Sequence, residues 1–207
     1  LSGLLFFLSD SINAQYIFRD MNLTDGLSDT QIRSISMIPD NRMAIGTRYV
    51  LDIYDGSSFS AHYHDRAKEY KWANYKPPKE YYDSEGRMWL KNYEYLLLFD
   101  LNTNQYLYDI DAILHEFGIS KKLINVFIDD SQNYWFITED KTVTFYDITK
   151  RDLFVITDGN SDFTHQHGIP REIAQYKNLY WIIYAYYRYR RFMVDAIRWC
   201  VFLQQNE

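Results

Sequence analysis

Cysteine, glycine and proline are scarce in this sequence. Cys200 is the only cysteine in 207 residues, so no internal disulfide is possible. That excludes a disulfide-stapled scaffold but fixes no compartment. Glycine numbers 8 and proline 4, and alanine is sparse too. A tight helical bundle and a Gly-rich nucleotide-binding Rossmann domain are both disfavoured on that ground. No run reaches 18 apolar residues, so nothing reads as a membrane-spanning helix. Positive charge is in deficit, with a formal net charge of −6. Such a chain does not attract a phosphate backbone, and no nucleic-acid partner is expected for this region. Catalytic signatures are missing: there is no G-x-S-x-G, no phosphate-binding Gly loop and no paired-cysteine metal spacing. His62-x-His64 and His165-x-His167 bring two imidazoles each, too few to close a metal site, and read as surface histidines. Carboxylates are plentiful but dispersed, with no acid/base pair among them. Neither enzymatic activity nor a cofactor is expected.

Aromatic residues are abundant. They make up 18% of the chain, including 20 Tyr, and such side chains suit half-buried pleated surfaces. The start, "LSGLLFFLSDSINAQ", carries a short apolar run from Leu4 to Leu8, then small and polar residues up to Ala14. It reads as the remnant of a secretory signal peptide over residues 1–14, lacking its basic start.

A motif recurs. "NRMAIGT" centres on Ala44, "GRMWLKN" on Trp89, "QNYWFIT" on Trp135 and "KNLYWII" on Trp181, at intervals of 45, 46 and 46 residues. A polar turn, and before it a stretch read as a strand, precedes each one. Three are followed by a strand ending in aromatic-Asp: Tyr54-Asp55, Phe99-Asp100 and Tyr146-Asp147. A short turn and a fourth strand come next, as in "SSFSAHY", "NQYLYDI" and "RDLFVIT". Four strands per unit at this period is the pattern of a β-propeller blade. The expected fold is all-β: a partial propeller of about four four-stranded blades of ~46 residues each. Blade boundaries fall near 24–70, 71–110, 119–157 and from 171–183 onward, within a propeller region of 15–183. A meander cannot bury its faces alone, and stacked copies bury them on each other. Trp89, Trp135 and Trp181 are therefore read as packing between blades rather than as ligand platforms. Asp55, Asp100 and Asp147 recur at equivalent positions, which suits turn capping. "DIDAILHEFGIS" breaks the strand pattern; it predicts one short helix between blades, Ala112 to Phe117, capped by Asp111 and stopped by Gly118.

"TDGLSDTQIRSI" leads into the first repeat. Asp25-Gly26-Leu27-Ser28, a polar pair, a strand, "IGT" and "YDG" resemble the two-component regulator propeller repeat, closely over Asp25–Phe59 and more loosely to about residue 183. That family forms the periplasmic sensor region of hybrid two-component systems in gut Bacteroides-type bacteria. The resemblance implies full-length receptors with two seven-bladed propellers, an immunoglobulin-like module, a membrane helix, a histidine kinase, a receiver and a DNA-binding domain. It implies a periplasmic, non-catalytic sensing module that binds an oligosaccharide or glycan fragment and relays to a kinase outside this sequence. Further partners it implies are a neighbouring propeller or a second subunit. The alternatives are a propeller glycoside hydrolase or lyase, and a protein-interaction scaffold, since propellers host all three.

The C-terminal stretch departs from the repeat. After Trp181 no aromatic-Asp turn follows, and Arg188, Arg190 and Arg191 lie among aromatics. Residues 184–207 read as a divergent tail with helix-like content, either a cap or out-of-frame translation. "YIFRDM", Tyr16 to Met21, reads as a strand that could complete the last blade. In a four-stranded meander the second turn and the inter-blade connection share one face, and long loops on a rigid scaffold are where binding concentrates. Those loops offer Arg48, Tyr49, Trp72, Tyr93, Glu94, Glu139, Lys141 and His165 as candidate ligand-binding residues. Their aromatic faces stack on sugar rings, and their polar groups hydrogen-bond hydroxyls or carboxylates.

Overall fold

The computed structural model describes residues 19–47, 50–64, 78–91, 96–159, 168–177, 179–185 and 200–204. Hairpins dominate it, and turn chemistry sets each one. The first turn of three successive units has one hydrogen-bond scheme. Ile38 N–H donates to Arg42 O at 2.8 Å and Asn41 N–H to Ile38 O at 3.0 Å. The same two bonds recur at Asp83/Arg87 with Gly86, and at Asp129/Asn133 with Gln132. Asn41, Gly86 and Gln132 all hold positive φ, of 69°, 80° and 67°. The third turns are closed by the recurring aspartates. Asp55 Oδ1 accepts from Ser57 N and Ser58 N, Asp100 Oδ1 from Asn102 N and Thr103 N, and Asp147 Oδ1 from Thr149 N and Lys150 N. These are Asx turns, in which the side chain imitates a backbone acceptor.

Between the turns lie four antiparallel meanders. The first sheet is β1 (Ser34–Met37), β2 (Met43–Gly46), β3 (Val50–Tyr54) and β4 (Phe59–Tyr63). The second is β5 (Lys79–Tyr82), β6 (Arg87–Lys91), β7 (Leu96–Asp100) and β8 (Gln105–Leu107). The third is β9 (Leu123–Ile128), β10 (Tyr134–Thr138), β11 (Val143–Asp147) and β12 (Asp152–Thr157). The fourth shows three strands among the described residues: β13 (Ile169–Tyr176), β14 (Leu179–Ala185) and β15 (Cys200–Gln204). Every residue of β6 and β10 is buried. A sheet with one wet face would bury only alternate residues, so these strands are packed on both sides.

Three cores fill the spaces between successive sheets. Ala44, Leu51 and Ile53 of the first sheet meet Met88, Leu90, Leu97 and Phe99 of the second. Trp89 and Leu98 meet Val126, Tyr134 and Phe136 of the third sheet. Trp135, Ile137 and Val143 meet Ile173, Tyr180 and Ile182 of the fourth. Trp89 and Trp135 thus face the next sheet, 0% and 2% exposed, and Ala44 occupies the same register where no indole is present. Trp181 is half-buried on β14, between Ala174 of β13 and Phe202 of β15 in the register. The first strands follow one another, β5 against β9 and β9 against β13. Lys79 of β5 pairs with Glu172 of β13, spanning from the second sheet to the fourth. The sheets therefore fan out from their first strands, and the chain forms a partial β-propeller.

Polar latches cross all three interfaces. Asp83 is buried and accepts from Arg87 N at 2.8 Å, Arg87 Nε at 2.6 Å and Trp89 Nε1 at 2.7 Å. Arg87 Nη2 reaches Tyr134 Oη of the next sheet at 3.4 Å. One blade on, Asp129 accepts from Asn133 N at 2.9 Å, Trp135 Nε1 at 3.5 Å and Tyr180 Oη of the next sheet at 2.7 Å. Between the first two sheets Arg42, the counterpart of Arg87, donates to Asn104 Oδ1 at 2.6 Å and Leu101 O at 2.7 Å.

Several sequence expectations need correction. The helix α1 runs Ile110–Glu116, not Ala112 to Phe117, and its N-cap is Asp109, whose Oδ1 accepts from Ala112 N at 3.0 Å. Asp111 sits in the first turn, where a carboxylate favours the helix dipole. Gly118, at φ 77°, ends the helix: its N–H bonds His115 O and that of Ile119 bonds Leu114 O, a Schellman stop. His64 is buried rather than a surface residue, and His62 is half-buried. His64 is 6% exposed, edge-on to Tyr106 at 4.8 Å, and the His62 ring lies 5.0 Å from Phe99. They line the gap between the first two sheets because β4 packs there; His165 and His167 lie outside the described residues. Of Tyr16 to Met21, only Arg19–Met21 is described, without strand, and Arg19 pairs with Asp25 at 3.1 Å. In the tail, Cys200–Gln204 is extended, whereas the composition had suggested helix. The signal-like residues 1–14 lie outside the described residues.

Candidate functional site

Among the described residues, the second turn of the third sheet and the connections on either side of that sheet share one end. In the third sheet the second turn is Thr138–Thr142. Thr138 N–H donates to Thr142 O at 3.0 Å and Lys141 N–H to Thr138 O at 2.9 Å, with Lys141 at φ 69°. Glu139 N–H donates to Lys122 O at 2.9 Å, tying this turn to the segment that follows α1. From the other side, Gly159 N–H reaches Thr142 Oγ1 at 3.4 Å. A Cβ on Gly159 would sit 1.6 Å from Asp140 O, so only glycine allows that approach. Two inter-blade connections therefore clamp one turn.

The candidate residues divide accordingly. Glu139 is exposed and Lys141 half-buried, and both belong to this clamped turn. Arg48, Tyr49, Trp72, Tyr93, Glu94 and His165 lie outside the described residues. Thr47 and Val50, on either side of the first pair, close their hairpin with Thr47 N–H donating to Val50 O at 2.9 Å. At the same end of the second sheet stands buried Lys91, whose ammonium pKa burial pushes down to about 8.

Beside the clamped turn is a recess of about 150 Å³. Gly118, Ile119, Ser120, Lys121, Thr138, Asp140, Thr142, Thr144 and Leu153 line it. Asp140 accepts from Thr138 Oγ1 at 2.6 Å and pairs with Lys121. Burial pushes its carboxyl up, but the Lys121 ammonium, the Thr138 hydroxyl and the Thr142 amide together outweigh that and hold it at about 2. The same contact raises the Lys121 pKa. Thr144 is 6% exposed, and its Oγ1 has no hydrogen-bond partner. Asp140, Lys121 and the threonines were not among the candidates read from the sequence. Their signal was there: in "TEDKTVTFY", Thr142 and Thr144 are two apart and so share a strand face.

No protein-family model and no curated protein matches the chain. By chain path it is similar to extracellular domains of two-component systems. One such structure is the extracellular domain of the candidate hybrid two component system BT3049 from B. thetaiotaomicron. It is 14% identical with a TM-score of 0.48, covering 81% of this chain and 24% of that one. Another is the extracellular domain of the candidate one component system BT4673 from the same organism, 14% identical with a TM-score of 0.45, covering 77% and 22%. A third is PorZ, a surface component of the type-IX secretion system of Porphyromonas gingivalis, 13% identical with a TM-score of 0.49, covering 80% and 21%. The chain thus spans about a quarter or less of the length of each.

Proposed function

We propose that this chain is part of the periplasmic sensing head of a hybrid two-component regulator. In this reading it is a non-catalytic propeller segment that binds an oligosaccharide or glycan fragment. A histidine kinase elsewhere in the full-length receptor receives the signal, and a neighbouring propeller or a second subunit carries it there. The observation that carries the reading is the motif Asp25-Gly26-Leu27-Ser28 together with what it does in the fold. Leu27 is buried, and Ser28 Oγ donates to Asp52 on β3 at 2.5 Å. The residues that prompted the family resemblance are thus the ones that fasten the leading segment to the first blade.

Two further observations support it. Asp55, Asp100 and Asp147, the carboxylates that recur with the repeat, are bonded to turn amides. The clamped second turn and its flanking connections offer hydroxyl, carboxylate and ammonium groups on one rigid end of the scaffold. Among the described residues no helix is long and apolar enough to cross a membrane.

A glycan panel tests the reading. Saturable thermal stabilisation by an oligosaccharide, without release of shorter products, is the expected result. Release of shorter products would replace the sensor reading with the propeller hydrolase or lyase, and a panel with no response at all would overturn it.

A further inference from the structure

We propose that the outer edge of the third sheet, strand β12, is a pairing surface for a second copy of this chain, joined antiparallel across a two-fold axis at Phe154. Such a contact gives the second subunit of the sensing reading above its place and rests on that reading for its role, while the association itself needs no glycan. β12 is the last strand of its sheet and, among the described residues, pairs only with β11. Its other side presents N–H and C=O groups on which a further strand can add. It is also the longest outer strand whose side chains are described, with six residues against five in β4 and three in β8.

Three consecutive apolar side chains lie open on this edge: Leu153, Phe154 and Val155 are 37%, 41% and 64% exposed. Successive residues of a strand point to opposite faces, so the edge is uncovered on both. β4 instead carries Ser60 and Ala61 at its centre, and β8 leads into α1. Edge strands are ordinarily blunted by lysine, by proline or by shortness, and Leu153–Val155 has none of these. A register shift, where Thr157 and Val155 face Val143 and Thr144, ends the regular edge just beyond Val155.

Charge selects the occupant. A two-fold axis through Phe154 sets Leu153 opposite Val155 of the copy and Phe154 opposite itself, so both faces of the joined edge match apolar with apolar. Lys150 and Arg151 stand at one end of β12 and Asp158 at the other, all of them exposed. The same axis lays the basic end of each copy on the acidic end of the other. Two copies in parallel would set like charge beside like. Lys150 reaches Asp147 of its own turn at 3.1 Å, yet its side chain stays 67% exposed and has donors left for a second carboxylate. An edge this short buries less than the roughly 1,200–2,000 Å² of a standard interface. The association is therefore weak and reversible, and it gains from any tether that holds two copies together.

The test uses the full chain in sedimentation velocity over a rising concentration series, with amide hydrogen exchange as a second readout. The expected result is a reversible equilibrium that stops at two copies, with exchange slowed along Leu153–Val155. Val155→Lys sets an ammonium against Leu153 of the copy, at a position already 64% exposed. It should weaken the dimer about tenfold or more and leave the melting midpoint of the monomer unchanged. Charge reversal decides the register. Asp158→Lys by itself, and Lys150→Glu combined with Arg151→Glu, should each weaken self-association. An equimolar mixture of those two proteins should restore it, because every basic end then meets an acidic one. The mixture also decides the matter should Val155→Lys fail to fold. A chain that stays monomeric throughout, association that continues past two copies, or a dimer indifferent to Val155→Lys overturns the proposal. So does a mixture no tighter than either variant alone. A glycan panel run beside it keeps the two claims apart: a dimer without glycan response leaves the edge pairing and removes the sensing reading, and a glycan response from a monomer does the reverse.

Discussion

Asp83 collects four donors at a point that solvent does not reach: Glu85 N, Arg87 N, Arg87 Nε and Trp89 Nε1. Its removal leaves the Arg87 guanidinium buried beside a cavity. Breaking a buried pair from one side typically costs about 3–5 kcal/mol, and Asp83→Ala should lose stability of that order in urea unfolding. The cross-blade tyrosines give a finer comparison. Tyr180 Oη donates to Asp129 at 2.7 Å, while Tyr134 Oη is 3.4 Å from Arg87. Tyr180→Phe should cost about 1.5–3 kcal/mol, the worth of a hydrogen bond to a charged group, and Tyr134→Phe clearly less. Equal losses would show that the Asp129 contact is not a latch. Asp52 behaves in the opposite sense. It is wholly buried, with one carboxylate oxygen bonded to Ser28 and the other without a partner. Burial raises its pKa above 3.8, against the Ser28 bonds that lower it. A raised folded-state pKa means the ionised group burdens the fold at neutral pH and ceases to as pH falls through the folded pKa toward 3.8. Asp52→Asn should therefore stabilise the protein at pH 7, by an amount that shrinks on acidification. A loss of stability at pH 7 would contradict this.

At the scale of elements, turns decide more than strands do. Asp140 anchors the β10–β11 turn with its pKa held near 2. A depressed carboxylate contributes stability that is complete above its ordinary value of 3.8 and is lost as pH falls toward 2. Asp140→Asn should flatten the acid limb of the stability profile in that window and nowhere else. α1 offers a sharper trial, because "DIDAI" holds two possible caps. The geometry selects Asp109, so Asp109→Ala should cost about 1 kcal/mol and Asp111→Ala only a few tenths. The sequence pointed to the wrong aspartate because both stand at plausible distances from the apolar face. Only the bond to Ala112 N distinguishes them. The Asx turns at Asp55, Asp100 and Asp147 were legible because their chemistry is local and repeated. The recess was not, because it joins the end of α1, the β10–β11 turn and β12, segments that nothing in their order brings together. The latches lay between these extremes. An aspartate stands six residues before Trp89 and before Trp135, and both bond the indole N–H; where Ala44 replaces the indole, Ile38 replaces the aspartate. That pairing of aspartate with indole was not read from the sequence, and Trp181, with Gln175 at the same spacing, does not share it.

At the scale of the molecule, the period of about 46 residues carried the architecture, since each meander has two apolar faces and only a neighbour on each side can cover them. Within the tail, Cys200–Gln204 is a strand where helix-like content was expected, because composition does not report the long-range pairing of β14 with β15, in which Trp181 lies opposite Phe202. Stability in such an array is a sum of blade terms and nearest-neighbour interface terms. Ile53 belongs to the first core and Ile182 to the third, with no shared neighbours between them. Ile53→Val and Ile182→Val should each cost about 0.5–1.5 kcal/mol, and the double variant should equal their sum within about 0.5 kcal/mol. Trp135 and Tyr180 stand on opposite sides of one interface, with ring centroids 4.7 Å apart, and both donate to Asp129 Oδ2. Trp135→Phe with Tyr180→Phe should depart from additivity by about 0.5 kcal/mol or more. The two cycles differ in that only Trp135 and Tyr180 share an interface and a hydrogen-bond acceptor, while all four positions are buried. A coupling as large between the isoleucines as between Trp135 and Tyr180 would mean that the sheets respond as one body, not as stacked neighbours.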